Sequence, residues 1–217
     1  MTHSVSSPLG VLSITISGKG YVRSIGLSLP EHEADEDSER QCAKNQCMPV
    51  GYTIDTSLED WKQSIDFNWE CNQQPLARGK SPQSNSTLEN TITQLTHYFR
   101  EPRWCFELPL APRGTPFQQR VWQALRSIPS GKIISYGMLA AQLGTGARAV
   151  GNACRENPIP IIIPCHRVVG VRDCGGFMGA RSGKPLAIKQ WLLRHESGQE
   201  PTPSNFQSEV SPFSARH

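Results

Sequence analysis

A cysteine followed directly by a histidine, Cys165-His166, is the pair in this sequence best suited to nucleophilic chemistry. It ends an apolar, proline-containing run in which the β-branched residues Ile161–Ile163 predict a short buried strand or extended segment. The thiolate is the reactive form, and a nearby base or cation lowers the pKa of a thiol. Because neighbouring side chains of an extended chain point to opposite faces, a link between thiol and imidazole requires a bridging water or a bend at Pro164. For such a pair in isolation, an unreactive buried cysteine beside a core histidine is the commoner case.

Two helices joined by a glycine-containing turn are predicted ahead of this pair. Ser135 is a good N-cap for a helix through about Leu143, and a second helix is predicted from about Ala147 to Arg155, a helix-turn-helix arrangement. Small residues alternate with polar ones along the second helix: Ala147, Arg148, Ala149, Gly151, Asn152, Ala153 and Arg155. Small side chains permit close approach to the narrow minor groove of DNA, where base sequence is read poorly. The alternative is that they only pack this helix against its neighbour.

The remaining sequence predicts an α+β protein. Apolar and polar residues alternate over residues 8–29 and predict a β-hairpin that turns at Gly18-Lys19-Gly20. Amphipathic spacing predicts three more helices, and Phe106–Leu110 reads as an extended link. The helices are Thr91–Arg100, Pro116–Ile128 and Leu186–His195.

We expect the chain to be divided into two domains and a tail. An N-terminal scaffold domain, containing strands, spans residues 1–110, and its polar, acidic part at 31–86 is poorly defined, with one or two strands suggested by three aromatic residues. A mainly helical domain that carries the helix-turn-helix and Cys165 spans residues 111–196. Residues 197–217 are rich in Ser and Pro and predict a disordered tail. The three aromatic residues are Trp61, Phe67 and Trp69.

The distribution of charge indicates the kind of partner, and the number and spacing of the cysteines indicate the cellular compartment. Residues 100–196 hold 14 Lys and Arg against 5 Asp and Glu, whereas the remaining residues hold 8 against 14, so the basic half suits a polyanion. The seven cysteines are odd in number and irregularly spaced, which favours reduced thiols inside a cell. No stretch reaches the ~18 apolar residues of a membrane helix, and the N-terminus lacks signal-peptide features. We therefore expect a cytoplasmic location, or a nuclear one in a eukaryote.

A metal site is disfavoured by the spacing of the potential ligands. Cys42 and Cys47, with Cys71 or His97, could in principle contribute to one, but the sequence has no C-x-x-C pair and no paired histidines. We expect no metal and no cofactor.

The segment Ile163-Pro164-Cys165-His166-Arg167-Val168 resembles the active-site signature of the O6-alkylguanine-DNA alkyltransferases. The resemblance is close over residues 88–196 and looser over the first 30. It rests on further motifs in the family's order: Gly114-Thr115-Pro116-Phe117-Gln118, Val121-Trp122, Ile134-Ser135-Tyr136, Ala147-Arg148-Ala149-Val150-Gly151, Asn157-Pro158 and Trp191-Leu192-Leu193.

What the resemblance implies is a repair protein that reverses damage directly. It would transfer the alkyl group of O6-alkylguanine in DNA irreversibly to its own Cys165, once per molecule, with O4-alkylthymine as an open second substrate. Its partner would be double-stranded DNA bearing the lesion, bound by a monomer through the minor groove without a membrane or cofactor.

Four residues form the implied catalytic set. Cys165 attacks the alkyl carbon, and a bridging water connects it to His166, which Glu196 orients. Asn157 bonds the turn that carries Cys165.

Five residues form the implied DNA- and substrate-binding set. Arg148 fills the place of the rotated nucleotide, and Tyr136 turns the adjacent phosphate and supplies a proton to the departing guanine. The carbonyl of Val168 accepts a hydrogen bond from the guanine amino group, and Cys154 lines the pocket for the rotated base. Gln118, which ends the motif Gly114-Thr115-Pro116-Phe117-Gln118, is assigned to DNA or substrate binding. Without the resemblance, Tyr136 would read as a core tyrosine and Arg148 as a simple phosphate contact.

Two departures from the family's pattern leave contacts unassigned. The turn Gly144-Thr145-Gly146 is shorter than expected, and the loop Val171–Lys184 is longer. The hydroxyl that usually contacts O6 is therefore not identified, although Ser182 is a candidate.

Three rival functions are a lesion sensor without repair activity, a helix-turn-helix transcription factor and a Cys-His hydrolase. Cys165 argues against the first, the small-residue helix against the second, and the implied role of Arg148 against the third.

Overall fold

The computed structural model of the protein describes residues 1–28 and 84–198, which form an α+β fold. The predictions for residues 31–83 and for the tail beyond residue 198 lie outside the described residues, as do Cys42, Cys47 and Cys71. The division at residues 110 and 111 stays a prediction. Within the described residues, no helix is long and apolar enough to cross a membrane.

A three-stranded antiparallel sheet forms the N-terminal part. Its strands are β1 (Thr2–Ser7), β2 (Gly10–Ile16) and β3 (Val22–Ser28), in the order β1-β2-β3. The predicted hairpin is confirmed as β2 and β3, with Ile14 opposite Ile25. β1 was not predicted, because its residues are mostly polar and exposed and show no apolar alternation.

Five helices and a second, two-stranded sheet complete the described fold. The helices are α1 (Ser84–Arg100), α2 (Pro116–Arg126), α3 (Tyr136–Gln142), α4 (Ala147–Arg155) and α5 (Gly183–Glu196). The short strands β4 (Ile134–Ser135) and β5 (Val168–Val169) pair in parallel. β5 follows directly after a 3-10 turn at Cys165–Arg167. All predicted helices are confirmed: α1 begins seven residues earlier than the predicted Thr91, and the other ends differ by at most three residues.

The helix-turn-helix is confirmed as α3 and α4. The Ser135 side chain caps α3 by accepting from the Met138 amide at 3.1 Å. Gly144, at a φ of 62°, turns the chain between the helices, a conformation that glycine adopts without strain. α4 then buries Val150, Ala153 and Cys154, whereas Arg148, Asn152 and Arg155 are exposed to solvent.

The apolar run before Cys165 is buried as expected but is not a strand. Ile161 has a φ of 74°, and the Ile163 amide donates to the carbonyl of Ile159 at 2.9 Å, which makes this segment a tight turn. Prolines at 158, 160 and 164 remove three backbone donors from the segment, so it cannot form a strand ladder. The strand prediction for Ile161–Ile163 was therefore wrong, and pairing begins only at Val168.

The N-terminal sheet packs directly against this turn. The Ile25 amide of β3 donates to the carbonyl of Pro158 at 2.8 Å. At the other end of β3, Val22 exchanges hydrogen bonds of 2.9 Å with Pro109 and Ala111, so the predicted extended link runs along the sheet. The sheet thus fixes the position of the segment that leads to Cys165.

The cysteines are only partly as expected. Cys154, Cys165 and Cys174 are buried, reduced thiols. Cys105 is disulfide-bonded, so the expectation of reduced thiols is wrong for this residue.

Candidate active site

Asn157 holds both ends of the turn that precedes Cys165. Its Nδ2 donates to the carbonyl of Ile163 at 2.8 Å, and its Oδ1 accepts from the amide of Ile159 at 3.1 Å. Cys165 then opens the 3-10 turn, buried and in hydrogen-bonding contact with the Asn157 side chain. Asn157 therefore braces the turn that leads to Cys165, and its place in the catalytic set stays a prediction.

His166 and Glu196 meet although 30 residues separate them. The His166 Nε2 lies 2.8 Å from Glu196 Oε1, and both side chains are fully buried. The second ring nitrogen, Nδ1, is buried and has no hydrogen-bond partner among the described residues. The imidazole is therefore oriented through one nitrogen, which leaves the other for proton exchange.

The carboxylate of Glu196 sits in a dense set of donors. Arg167 binds it with two nitrogens, Nε to Oε2 and Nη2 to Oε1, each at 2.9 Å. The Tyr98 hydroxyl donates to Oε1 at 2.8 Å, and the Gly131 amide to Oε2 at 3.4 Å. The remaining Arg167 nitrogen, Nη1, donates to the carbonyl of Ile128. Arg167 and Tyr98 were not predicted as site residues.

These contacts fix the charge states of the pair. Burial alone would raise the pKa of Glu196, but the positive charge of Arg167 and the contact with His166 outweigh it and hold that pKa well below its usual range. Burial lowers the pKa of His166, and Arg167 and Lys189 add to this effect against the opposing pull of Glu196. At neutral pH the site therefore holds a carboxylate and a neutral imidazole, which is the form that accepts a proton.

The thiol of Cys165 is protonated at rest. Burial raises its pKa, while the Asn157 hydrogen bond and the positive charge of Lys189 work in the opposite direction. The nucleophile therefore needs a base to ionise it, and a neutral His166 beside it in the chain is suited to that task.

Lys189 is a site residue that the sequence-based reasoning missed. It is buried on α5, and its Nζ donates to the carbonyls of Val168 at 2.6 Å and Gly176 at 3.1 Å. Burial lowers its pKa to about 8, against opposing effects from Cys165 and other nearby acidic groups. The sequence did contain a signal for this residue. Lys189 lies seven residues before Glu196, which is two helical turns, so it shares the buried face of α5 with Glu196 and the apolar residues. A lysine at a core position is uncommon enough to mark a site.

Tyr136 and Cys154 complete one side of the cluster. Tyr136 lies 5.8 Å from the Lys189 Nζ, measured to the ring centroid, and its hydroxyl donates to the carbonyl of Gly176 at 3.5 Å. Burial raises the pKa of Tyr136, with the thiols of Cys154 and Cys165 adding to the effect, so the phenol keeps its proton. Gly175, at a φ of 65°, is pressed against this ring, since a Cβ there would lie 2.6 Å from it.

The predicted DNA-contacting residues lie elsewhere. Arg148 is exposed on α4, on a face that it shares with Ala147, Asn152 and Arg155. Gln118 belongs to the capping box of α2, where its Oε1 accepts from the Thr115 amide at 2.8 Å. Its assignment to DNA binding stays a prediction. Ser182 is exposed at the N-cap of α5.

Val168 has its carbonyl oxygen already engaged by Lys189. A carbonyl oxygen has two lone pairs, so it keeps acceptor capacity for a second donor. The structure therefore brings Cys165, His166, Glu196, Asn157, Tyr136, Val168 and Cys154 into one cluster, and sets Arg148 on the outer face of α4.

Comparison with known proteins identifies relatives of this architecture. Residues 116–198 match the family model of the 6-O-methylguanine DNA methyltransferase, DNA binding domain. The constitutive methylated-DNA–protein-cysteine methyltransferase of Bacillus subtilis (strain 168) is 41% identical over 143 residues, which cover 64% of this chain and 79% of that protein. The methylated-DNA–protein-cysteine methyltransferase of Salmonella typhimurium is 55% identical over 91 residues, or 41% of this chain and 51% of that protein.

A solved structure shares this fold. The crystal structure of Mycobacterium tuberculosis OGT in complex with DNA superposes with a TM-score of 0.59 at 28% identity. The match covers 93% of this chain and 95% of that one.

Proposed function

Because this chain belongs to the methylated-DNA–protein-cysteine methyltransferase family, we propose that it repairs O6-alkylguanine in DNA by moving the alkyl group onto Cys165. The observation that carries this proposal is the buried Cys165-His166 turn, with His166 2.8 Å from Glu196, beside a helix-turn-helix whose second helix exposes Arg148. A nucleophile, a base and a group that orients the base are thereby combined with a DNA-contacting element.

Access to the lesion requires the damaged nucleotide to leave the base stack, which costs a few kcal/mol. The outer face of α4, with its small and positively charged residues, suits a monomer bound in the minor groove. Arg148 occupies the gap left by the rotated nucleotide and thereby offsets part of the unstacking cost. Such a protein acts where genomic DNA is kept, in the cytoplasm of a prokaryote or in the nucleus.

The transfer is a direct displacement in which one bond forms as another breaks. Sγ of Cys165 bonds to the alkyl carbon while the bond between that carbon and O6 breaks, and the electron pair goes to guanine. The thiol proton passes through a water to Nδ1 of His166, whose imidazolium form Glu196 stabilises. Tyr136, which keeps its phenol proton at neutral pH, supplies a proton to the departing guanine. The proton held by His166 then restores the phenol, so the net change moves the thiol proton of Cys165 to guanine. The thioether has no good leaving group, so each molecule reacts once.

The test is to incubate the protein with a duplex that contains one O6-methylguanine and to map the modified peptide by mass spectrometry. We expect one methyl group per protein molecule, on the peptide that contains Cys165, and restored guanine in the DNA. Specific binding without modification would instead identify a lesion sensor, and repeated turnover would identify a hydrolase-like enzyme. A parallel reaction with a duplex that contains O4-methylthymine decides whether Cys165 also accepts the methyl group of this base.

Arg148→Ala is expected to slow transfer from the duplex about tenfold or more, since the unstacking cost is then no longer offset. Transfer from the free base O6-methylguanine should be unaffected, because a free base needs no extrusion. Arg155→Ala removes another positive charge from the same face, since Arg155 is exposed on this helix and pairs with Glu156 at 3.7 Å, and it should slow transfer from the duplex far less than Arg148→Ala. Equal losses on duplex and free base in Arg148→Ala would contradict the proposed role.

A further inference from the structure

Tyr98 contacts the His166–Glu196 pair from a distant part of the chain. It lies on α1, is fully buried, and donates its hydroxyl proton to Glu196 Oε1 at 2.8 Å across 98 residues of sequence. The same oxygen, Glu196 Oε1, also lies 2.8 Å from His166 Nε2. α1 precedes residues 116–198, the range of the family match, and belongs to the part of the sequence expected to be scaffold.

The Tyr98 hydroxyl is held in place from several sides. The Tyr98 carbonyl accepts from His195 Nε2 at 2.9 Å, which ties α1 to the last turn of α5. The Tyr98 ring packs against Phe99, Phe106 and His195, with centroid separations of 5.5, 5.4 and 5.4 Å. His195 is in turn stacked on Trp191 at 4.8 Å. The hydroxyl is therefore fixed relative to Glu196 by packing and does not depend on the hydrogen bond alone.

A fixed donor on Glu196 Oε1 has two chemical consequences. It restrains rotation of the carboxylate, and so restrains the imidazole that the carboxylate orients. It also draws negative charge from the oxygen that faces His166, which makes the carboxylate a weaker partner for imidazolium. The charged groups that act on His166 are Glu196, Arg167 and Lys189, and Tyr98 contacts the titratable groups Glu196 and His195.

We propose that Tyr98 is a positioning residue for the transfer reaction, through which α1 sets the orientation and the proton affinity of the His166–Glu196 pair. This inference rests on the proposed function, in which His166 accepts the proton of Cys165. It places part of the catalytic machinery outside the helix-turn-helix region, in the N-terminal part of the chain.

Tyr98→Phe in the full-length protein tests the proposal, since it keeps the ring and removes only the hydroxyl. The transfer rate at neutral pH is expected to fall about tenfold, the scale set by a lost hydrogen bond to a charged group. With the donor gone, Glu196 stabilises imidazolium better, so His166 takes up a proton at higher pH. The acidic limb of the pH–rate profile should therefore move to higher pH, and the His166 resonances in a ¹⁵N NMR titration should move with it.

Phe99→Leu is the packing control, because Phe99 packs on both Tyr98 and Trp191, at 5.5 and 6.1 Å between ring centroids, and the change leaves the Tyr98 hydroxyl and its hydrogen bond to Glu196 in place. It should lower the melting temperature and leave the acidic limb in place. The proposal is overturned if Tyr98→Phe leaves both the acidic limb and the His166 titration unchanged, or if Phe99→Leu shifts them equally. Should the wild-type protein transfer no alkyl group, the proposed function fails, yet the NMR titration still decides whether Tyr98 tunes His166.

Discussion

Cys165→Ala is expected to lose methyl transfer altogether, a fall of more than about 10⁴-fold, as when the covalent nucleophile of an enzyme is removed. No other described group combines a thiol with a neutral imidazole next to it in the chain and a carboxylate 2.8 Å from that imidazole. The variant should bind duplex DNA as the wild type does, because the exposed face of α4 is unchanged. Transfer is measured by mass spectrometry of the protein after reaction, and binding by electrophoretic mobility shift.

Cys174→Ala provides the matched control for this result. Cys174 is also a buried, reduced thiol, and the charge of its thiolate would also act on Lys189, so it shares the polar neighbourhood of Cys165 without a histidine next to it in the chain. We expect it to transfer at nearly the wild-type rate. Methylation of Cys154 or Cys174 in the Cys165→Ala variant at an undiminished rate would show that the acceptor has been assigned to the wrong sulfur.

Local sequence signals predicted much of what positions the site. Ser135 marked the start of α3 through a side chain that caps helices, and glycines marked the turn before α4. Asn157, assigned by resemblance to the turn before Cys165, does hold that turn in the structure. These features succeed because each depends on contacts between residues close in the chain.

Failures of prediction came from contacts that local patterns do not encode. Ile161–Ile163 read as a strand because β-branched residues favour strands, yet the prolines around them left too few donors for a ladder. Two of the donors to Glu196 are Tyr98, 98 residues away, and Arg167, which in the sequence looked only like part of a motif. A hydrogen bond across that distance leaves no periodicity in the sequence, so only the folded chain shows it.

Lys189→Met is expected to slow transfer by about 10- to 1,000-fold at pH 7.5, the range of thiol ionisation that one nearby opposite charge controls. Methionine has nearly the length and volume of lysine, so the change removes the positive charge and the two hydrogen bonds to Val168 and Gly176. The thiolate that forms during attack then has no cation beside it. Single-turnover rates, corrected for the folded fraction seen in thermal unfolding, give the effect.

The pH dependence distinguishes the charge of Lys189 from its packing. The reactive form of the site has a neutral His166, a protonated Cys165 and a cationic Lys189, and Lys189 loses its proton as the pH rises through about 8. The wild-type rate should therefore fall above about pH 8, since the cation that favours the thiolate is then lost. The Lys189→Met variant has no such proton to lose, and its rate should show no fall in this range.

Lys184→Met controls for the loss of a lysine from the same helix, since Lys184 lies in the first turn of α5 and is only half-buried. It should keep both the rate and the alkaline fall of the wild type. A Lys189→Met variant that retains the fall near pH 8 would assign that titration to another group. A rate within about twofold of the wild type, well below the tenfold minimum expected for a neighbouring charge, would remove Lys189 from the mechanism and leave the ionisation of Cys165 to His166 and the Asn157 hydrogen bond.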